Sequence, residues 1–594
     1  MKPLFVTDHL DIWTSAIEKK SASGRGSNNK ISLYGIKKLR ELILELAVRG
    51  KLVPQDPNDE PASVLLDKIA TEKGRLIKEK KIKRPKMLPE VTDEEKPFEL
   101  PDGWEWTRCQ NVATYIQRGK GPKYSDFGKV KVVSQKCIQW SGFDLERARY
   151  VDDASLDKYQ EERYLANKDL LWNSTGTGTV GRINIITDVN EKTLVADSHV
   201  TVIRPQKVDC RFIWCYIAAP GIQKRIEPDD EKSLVSGTTK QVELNTSAVI
   251  TLEVPIPPLA EQHRIVAKVD ELMSLCDQLE QQTEDSIAAH QTLVETLLDT
   301  LTQSQNAEEL AQNWNRISDH FDTLFNTEHS IDQLKQTILQ LAVMGKLVPQ
   351  DPNDEPASIL LEKIGAEKDR LIKEKKIKKQ KPLPEISEDE KPFDLPEGWK
   401  WIILKTAINL LNGYAFKSSW FSDKGVRLLR NINILHGQTR WVELACIDNE
   451  VAKNFKKYRL CKGDVVLSLD RPIINTGLKF AVISEDDLPC LLLQRVAKLH
   501  SYCELIKPLY LTKWLESDYF ISRIDPGRSN GVPHISTTQV GNMLFPLPPL
   551  GEQRRIIEKA NQLIKLCDQL KTNLTKAQNY RIHLTNSIRE RVII

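Results

Sequence analysis

The chain has 594 residues, of which 28% are charged and 40% apolar, with a formal net charge of +3 at pH 7. That length excludes a single core and suggests three or four domains, while a near-neutral balance neither demands nor excludes nucleic acid. No run of eighteen apolar residues offers a membrane span, and the start "MKPLFVTDHLDIW" carries no signal-peptide core.

Residues 1–98 read as a helical scaffold segment that ends in a tether. Pro61 can start a helix over "VLLDKIATEKGRLIKEKKIK", Val64–Lys83. Its basic end admits a nucleic-acid contact or a solvated charged face, and the second reading is preferred. Its copy is followed by the acidic, proline-punctuated "PLPEISEDEKPF" (Pro382–Phe393), which reads as a linker.

Residues 99–256 read as a globular module of mixed strands and short helices. "IQRGKGPKYSDFGKVKVVSQKCIQW" places Arg118, Lys120, Lys123 and Tyr124 in a Gly/Pro loop, and Gln135 and Lys136 after a valine-rich strand. Further on, "TGTGTVG" spells G-x-G-x-x-G at Gly176, Gly178 and Gly181. A dinucleotide site needs a helix N-terminus directly after the glycines. "RINIIT" alternates polar and apolar residues instead, so a loop between two strands is expected and no cofactor. "PDDEK", Pro228–Lys232, is too compact for a nuclease carboxylate set and reads as a charged loop.

Residues 257–395 hold a spacer helix, a second scaffold segment and a second tether. Apolar or small residues recur at Ile265, Val269, Leu272, Cys276 and Leu279, then at Ile287, Val294, Leu297 and Leu301. Spacing of four and three is a coiled-coil seam. Residues 396–547 form a second module, with Lys417 in "NGYAFKSSWF" and Arg430, Asn431 and Asn433 in "VRLLRNINILHG". Arg, Lys, Asn and Gln match base edges in the major groove, which makes the basic and amide residues of both modules the DNA-contact candidates. Residues 548–594 repeat the seam at Ile556, Ala560, Leu563, Cys567, Leu570, Leu574, Ala577, Leu584 and Ile588. No ATP-binding G-x-x-x-x-G-K-[ST] loop and no Asn-Pro-Pro-aromatic methyltransferase motif appears, so no catalytic residue is assigned. The ten cysteines show neither CxxC nor zinc spacing, and they read as reduced thiols in a cytoplasmic protein without a metal.

Much of the chain is written twice. "GKLVPQDPNDEPAS" at Gly50–Ser63 recurs unchanged at Gly345–Ser358, inside a gapless match of Leu39–Trp106 with Leu334–Trp401. "PIPPLAEQHRI" at Pro255–Ile265 answers "PLPPLGEQRRI" at Pro546–Ile556, yet the segments between the shared blocks barely resemble each other. "DHLD" at Asp8–Asp11 echoes "DHFD" at Asp319–Asp322, so the repeat is cyclic and the two termini are expected to be neighbours. The expected fold is α+β: two globular modules joined by two long antiparallel helices, with pseudo-twofold, cyclic repeat symmetry.

The paired "LP-x-G-W-x-W" entries, the paired "PPL-x-EQ" exits and the long helix after each exit resemble the specificity subunit of type I restriction–modification systems. The resemblance covers nearly the whole chain. It implies that 99–256 and 396–547 are target-recognition domains, each reading half of a bipartite asymmetric site on double-stranded DNA. It further implies a non-catalytic chain that docks two methyltransferase subunits, which use S-adenosylmethionine, and two motor–nuclease subunits, which use ATP and Mg2+. On that reading the identical parts serve identical partners and the divergent parts read different bases. The alternatives are a fused DNA methyltransferase or nuclease with unrecognised motifs, and a scaffold that binds no DNA.

The cyclic repeat makes residues 301–594 a complete unit. Two such fragments are expected to pair through Ile556, Leu563, Leu570 and Leu574 as a twofold dimer. Expressed with the methyltransferase partner, the dimer should methylate a palindromic site with a similar gap. A stable monomer, or retention of an asymmetric target, contradicts the cyclic scaffold.

Overall fold

The structure is a computed structural model that describes residues 9–19, 31–176, 178–238, 241–379, 382–474, 476–524 and 534–593. The chain divides into two compact units, Met1–Ser286 with Ala577–Ile594, and Ile287–Lys576. The frame helices are α1 (Tyr34–Val48), α2 (Ala62–Lys78), α3 (Leu259–Gln303), α4 (Glu328–Val343), α5 (Ala357–Lys373) and α6 (Leu550–Ile593). Both unit boundaries fall inside the long helices α3 and α6. Each unit thus takes the start of one long helix and the end of the other, as the cyclic repeat requires.

In unit 1, Ile265, Val269 and Cys276 of α3 share a core with Leu39, Leu42 and Ile43 of α1, and Ile588 and Val592 of α6 pack against it. In unit 2, Val294, Leu298 and Leu301 of α3 share a core with Ala560 and Cys567 of α6 and Leu334 of α4. Start meets end in both cores, which is the antiparallel relation. The N-terminal segment also meets the last turns of α6, where Gln578 Nε2 donates to Ser15 O at 3.1 Å.

The expected seam shifts in its later turns. Leu298 is buried where Leu297 was expected, and Leu584 is 47% exposed while Thr585 is fully covered. Ala577 is also exposed. An α-helix drifts from a strict seven-residue repeat by about 20° per heptad, which carries later seam positions off the buried face. Each seam also meets a short frame helix, so it is not a two-helix interface alone.

The basic end of α2 is largely answered within the fold. Lys73 is buried, with Nζ donating to Ala113 O at 2.9 Å, and burial lowers its pKa to about 8. Arg75 lies between Glu72 and Glu79 at 2.6 Å each, and its copy Arg370 repeats the pair with Glu367 and Glu374, also at 2.6 Å. The tethers are pinned as well. Buried Arg108 grips Glu95 through two nitrogens at 3.0 and 2.7 Å and donates to Pro89 O and Glu90 O. The guanidinium holds the Glu95 carboxyl down at about 2. In unit 2 the tether is held by Phe393 against Trp401, with ring centroids 4.9 Å apart.

The duplicated words form one lock in each unit. Gly50 and Gly345 end α1 and α4 at φ +67° and +73°, and a Cβ there would lie 2.4–2.5 Å from Pro101 or Pro396. The chain then turns so that Gln55 Nε2 reaches Glu261 at 3.1 Å, and Trp104 Nε1 donates to the same carboxylate at 3.0 Å. Gln350 and Trp399 meet Glu552 at 3.1 and 2.8 Å. Arg264 pairs with Asp59, and Arg555 with Asp354, at 2.6 Å each. Beside each glutamate a buried glutamine holds the module. Gln262 Oε1 accepts from Asp209 N at 2.8 Å, and Gln553 Oε1 from Lys507 N at 2.9 Å. In "PPL-x-EQ", then, the glutamate grips the repeated segment and the glutamine grips the module. Burial raises the pKa of both glutamates against the pull of their donors.

Within unit 1 the strands of the main module sheets are β1 (Glu105–Arg108), β2 (Ala113–Arg118), β3 (Tyr124–Ser125), β4 (Lys131–Val133), β5 (Arg149–Val151), β6 (Leu170–Asn173), β7 (Ile183–Ile185), β8 (Leu194–Ala196), β9 (Val200–Pro205) and β10 (Glu253–Ile256). They form sheets β7-β6-β9-β2 and β8-β4-β5-β3, plus the pair β1-β10 that closes the module. Unit 2 has β11 (Lys400–Ile403), β12 (Ile408–Asn412), β13 (Phe421–Ser422), β14 (Val426–Leu429), β15 (His436–Gly437), β16 (Cys446–Ile447), β17 (Val465–Ser468), β18 (Phe480–Val482), β19 (Cys490–Leu492), β20 (Val496–Ser501) and β21 (Leu544–Leu547). Its sheets are β15-β18-β17-β20-β12 and β19-β14-β16-β13, plus β11-β21. Apart from β15, the order is that of unit 1. The one parallel pair in each second sheet also matches, with Val132 opposite Val195 and Leu428 opposite Leu491. Two sequences that barely resemble each other build one topology.

Removing one donor from the lock leaves the buried carboxylate short of a partner. Trp104→Phe and Trp399→Phe should each cost about 1–3 kcal/mol, with similar values because the geometry is repeated. Denaturant unfolding of each variant checks this.

Candidate nucleic-acid interface

The candidate loops start where β2 and β12 end. Gly119 N donates to Val200 O and Gly413 N to Val496 O, both at 2.9 Å. A Cβ would sit 2.1 Å from Ala196 O at Gly119 and 2.0 Å from Leu493 O at Gly413. Only glycine permits that approach, and it recurs although the surrounding words differ.

The loop after Gly119 in unit 1 is tied down. Lys120 Nζ donates to Lys158 O at 3.0 Å, and Lys123 pairs with Asp152 at 2.7 Å while its side chain stays largely exposed. Tyr124 donates to Asp197 at 2.8 Å, and burial and that carboxylate push its hydroxyl up to about 12. Arg118 lies outside this loop, at the end of β2, where its guanidinium is spent on Glu243 at 2.6 Å and Leu244 O at 2.8 Å.

A second loop follows β4. Lys136 is exposed, and Gln135 is half-buried with its Oε1 3.4 Å from Thr179 Oγ1. Buried Asn173, at the end of β6, pins this loop by donating to Gln135 O at 3.0 Å. The glycine-rich run lies beside it, connecting β6 to β7, with φ of +105° at Gly176, +76° at Gly178 and +88° at Gly181. A strand follows those glycines, so the expected loop between strands is what forms. Sequence reasoning missed three residues here. Arg182 donates to Gln139 Oε1 and Gly178 O at 2.8 Å each, and Trp140 is 48% exposed. The usable signal was a long polar connection between two buried strands. "PDDEK" is a turn, with Lys232 N donating to Asp230 Oδ1 at 2.9 Å.

Unit 2 places its candidates at the same topological positions. Lys417, exposed beside the Trp420 ring at 5.6 Å, follows β12 as Lys120 and Lys123 follow β2. Arg430 and Asn431 follow β14 as Gln135 and Lys136 follow β4. Arg430 donates to Glu443 O. Asn431 is half-buried, and Ile432 beside it is exposed. Asn433 is 1% exposed, and its Nδ2 donates to Arg440 O and Val442 O at 3.1 and 2.9 Å. Its amide is consumed inside the module, so it shapes the loop and offers nothing to a ligand. Among the described residues, no group of three His, Cys, Asp or Glu could hold a metal ion, and no helix is long and apolar enough to cross a membrane.

The fold is a two-module scaffold with one topology and two sets of polar loops. The sequence profile described as "Type I restriction modification DNA specificity domain" matches residues 101–289 and 396–578. The Escherichia coli type I restriction enzyme EcoAI specificity subunit is 51% identical, covering 99% of each chain. The EcoEI specificity subunit of Escherichia coli is 41% identical over 98% of each. A solved chain described under the assembly and conformational transition of the type I R-M system aligns at 17% identity and TM-score 0.49, covering 84% of this chain and 99% of that one. The chain belongs to the family of type I restriction–modification DNA specificity subunits.

Asn433→Ala should destabilise the second module by about 1–3 kcal/mol, because two carbonyls lose a buried donor. Thermal unfolding reads the loss, and Asn431→Ala, half-exposed, serves as the mild comparison.

Proposed function

We propose that this chain is the non-catalytic reader of a type I restriction–modification complex, with each module reading one half of a bipartite asymmetric DNA site. The modules are residues 99–256 and 396–547. The observation that carries the reading is the pairing of one repeated topology with unlike loops at equivalent places. Gln135 and Lys136 after β4 answer Arg430 and Asn431 after β14. A repeated frame with different polar side chains at one position suits two different half-sites. Base edges select by the donor and acceptor patterns that Gln135, Arg430 and Asn431 carry, while phosphate contacts from exposed lysines such as Lys136 and Lys417 set position.

The frame supplies equivalent surfaces in both units, which suits two copies each of a methyltransferase subunit and a motor–nuclease subunit. S-adenosylmethionine, ATP and Mg2+ belong to those partners in this reading. The chain works in the cytoplasm, where the DNA is.

Genome-wide mapping of methylated sites in cells carrying the system is the test. Two short, non-palindromic blocks around an unread gap are expected, and a continuous or palindromic site contradicts the reading. Exchanging 99–256 for a relative's module should change one block only. Lys136→Ala should weaken binding to all sequences and lower the salt slope by about one. Binding isotherms at several salt concentrations measure it.

A further inference from the structure

Most arginines of the first module are spent on carboxylates. Arg108, Arg118, Arg147, Arg204, Arg211 and Arg225 each have an acidic partner. Arg149 and Arg163 have none among the described residues, the first lying over the Tyr124 ring at 4.3 Å and the second donating to Arg118 O at 3.3 Å, and Arg182 has none either. It is nevertheless held at two points, by Gln139 Oε1 and Gly178 O, both neutral acceptors. Gln139 is fixed in turn, since its Nε2 donates to Lys136 O at 2.9 Å and its own carbonyl accepts from Asn184 Nδ2 at 2.9 Å. A guanidinium is always charged, and its remaining N–H groups stay in a planar fork. Here a fixed cation keeps its full charge, and the exposed Trp140 follows directly on Gln139, which holds it.

The same connection in the second module runs from β17 to β18 and carries Arg471. That residue is exposed, has no acidic partner among the described residues, and sits at φ +46°. A non-glycine residue rarely holds the left-handed region, and such outliers concentrate at functional sites. Its neighbour Asp470 is occupied, pairing with Arg495 at 2.9 Å and with His534 at 3.0 Å.

We infer that Arg182 and Arg471 are specificity-determining residues, each presenting its fork to O6 and N7 of a guanine in the major groove of its own half-site. This rests on the bipartite-reader function proposed above. Arginine fits that pair of acceptors bidentately, and prior fixation by neutral acceptors lowers the ordering cost without cancelling the charge.

The test expresses the chain with its methyltransferase partner and maps methylated sites for wild type, Arg182→Ala, Arg182→Lys and Arg471→Ala. Arg182→Ala should lose about 5- to 150-fold of discrimination at one G·C position of one half-site. The other half-site should stay strictly read, which also shows that the chain is folded. Arg471→Ala should give the mirror result. Arg182→Lys should relax the same position, because an ammonium lacks the fork. An unchanged motif, relaxation in both halves, or an even loss at every site, as a phosphate contact gives, overturns the inference. If Arg182→Ala unfolds, Arg182→Lys carries the test, and a folded Lys variant without methylation counts against it. A wild-type motif that is not bipartite defeats the proposed function itself. A bipartite wild-type motif with unresponsive variants defeats this inference alone.

Discussion

A buried carboxylate at the start of each long helix organises the rest. Glu261 and Glu552 are each 1% exposed. Burying an ionised group is costly, and the raised pKa of both records that cost. Three favourable elements offset it: an indole N–H, a glutamine amide and the N-terminus of the helix itself. The first two come from the repeated segment, so the carboxylate is satisfied only when that segment folds against the helix. The adjacent glutamine ties in the module by the same logic, through Asp209 N or Lys507 N. Two neighbouring residues thus join frame, helix and module at one point in each unit.

This gives the fourteen-residue repeat an intramolecular role. Gly50, Gln55 and Asp59 each make a contact that Gly345, Gln350 and Asp354 repeat. A substitution at these positions breaks the lock. The surrounding lysines and arginines read differently for the same reason. Lys73 supports the turn that precedes β2, and Arg75 and Arg370 neutralise acids one turn away. A basic run in a sequence measures charge, whereas an interface needs charge that remains unanswered.

Outside the lock the two modules differ in sequence throughout, yet their main sheets agree. Strand order is common to both modules, and so is the glycine that lets the chain pass over the β8–β9 or β19–β20 connection. The loops after β4 and β14 carry amide and lysine in one module and arginine and asparagine in the other. Strand pairing resists change, since a one-residue slip would turn the core face outward, while buried side chains are exchanged for others, as Trp172 of β6 for Leu467 of β17. Loops supported by such a scaffold can change freely.

Part of this was legible in the residues alone. The duplicated words, the cyclic order and the seam at Ile265, Val269, Leu272 and Cys276 are periodic features, and periodicity survives without coordinates. The strand after "TGTGTVG" was legible too, because "RINIIT" alternates. Other features depended on which side chains meet across long sequence separations. Asn433 looked like a reader and proved buried, because its amide found Arg440 and Val442 carbonyls that no local pattern predicts. Arg182 passed unnoticed because its hold on Gln139, made without an acidic partner, spans 43 residues of chain. Leu298 and Thr585 replaced Leu297 and Leu584 because the true helical period, and the frame helices beside it, decide which face turns inward. Sequence determined the repeat, the two modules and their frame, since local pattern and duplication are written along the chain. Tertiary structure decided which charges remain unanswered, since that depends on distances between residues far apart in sequence.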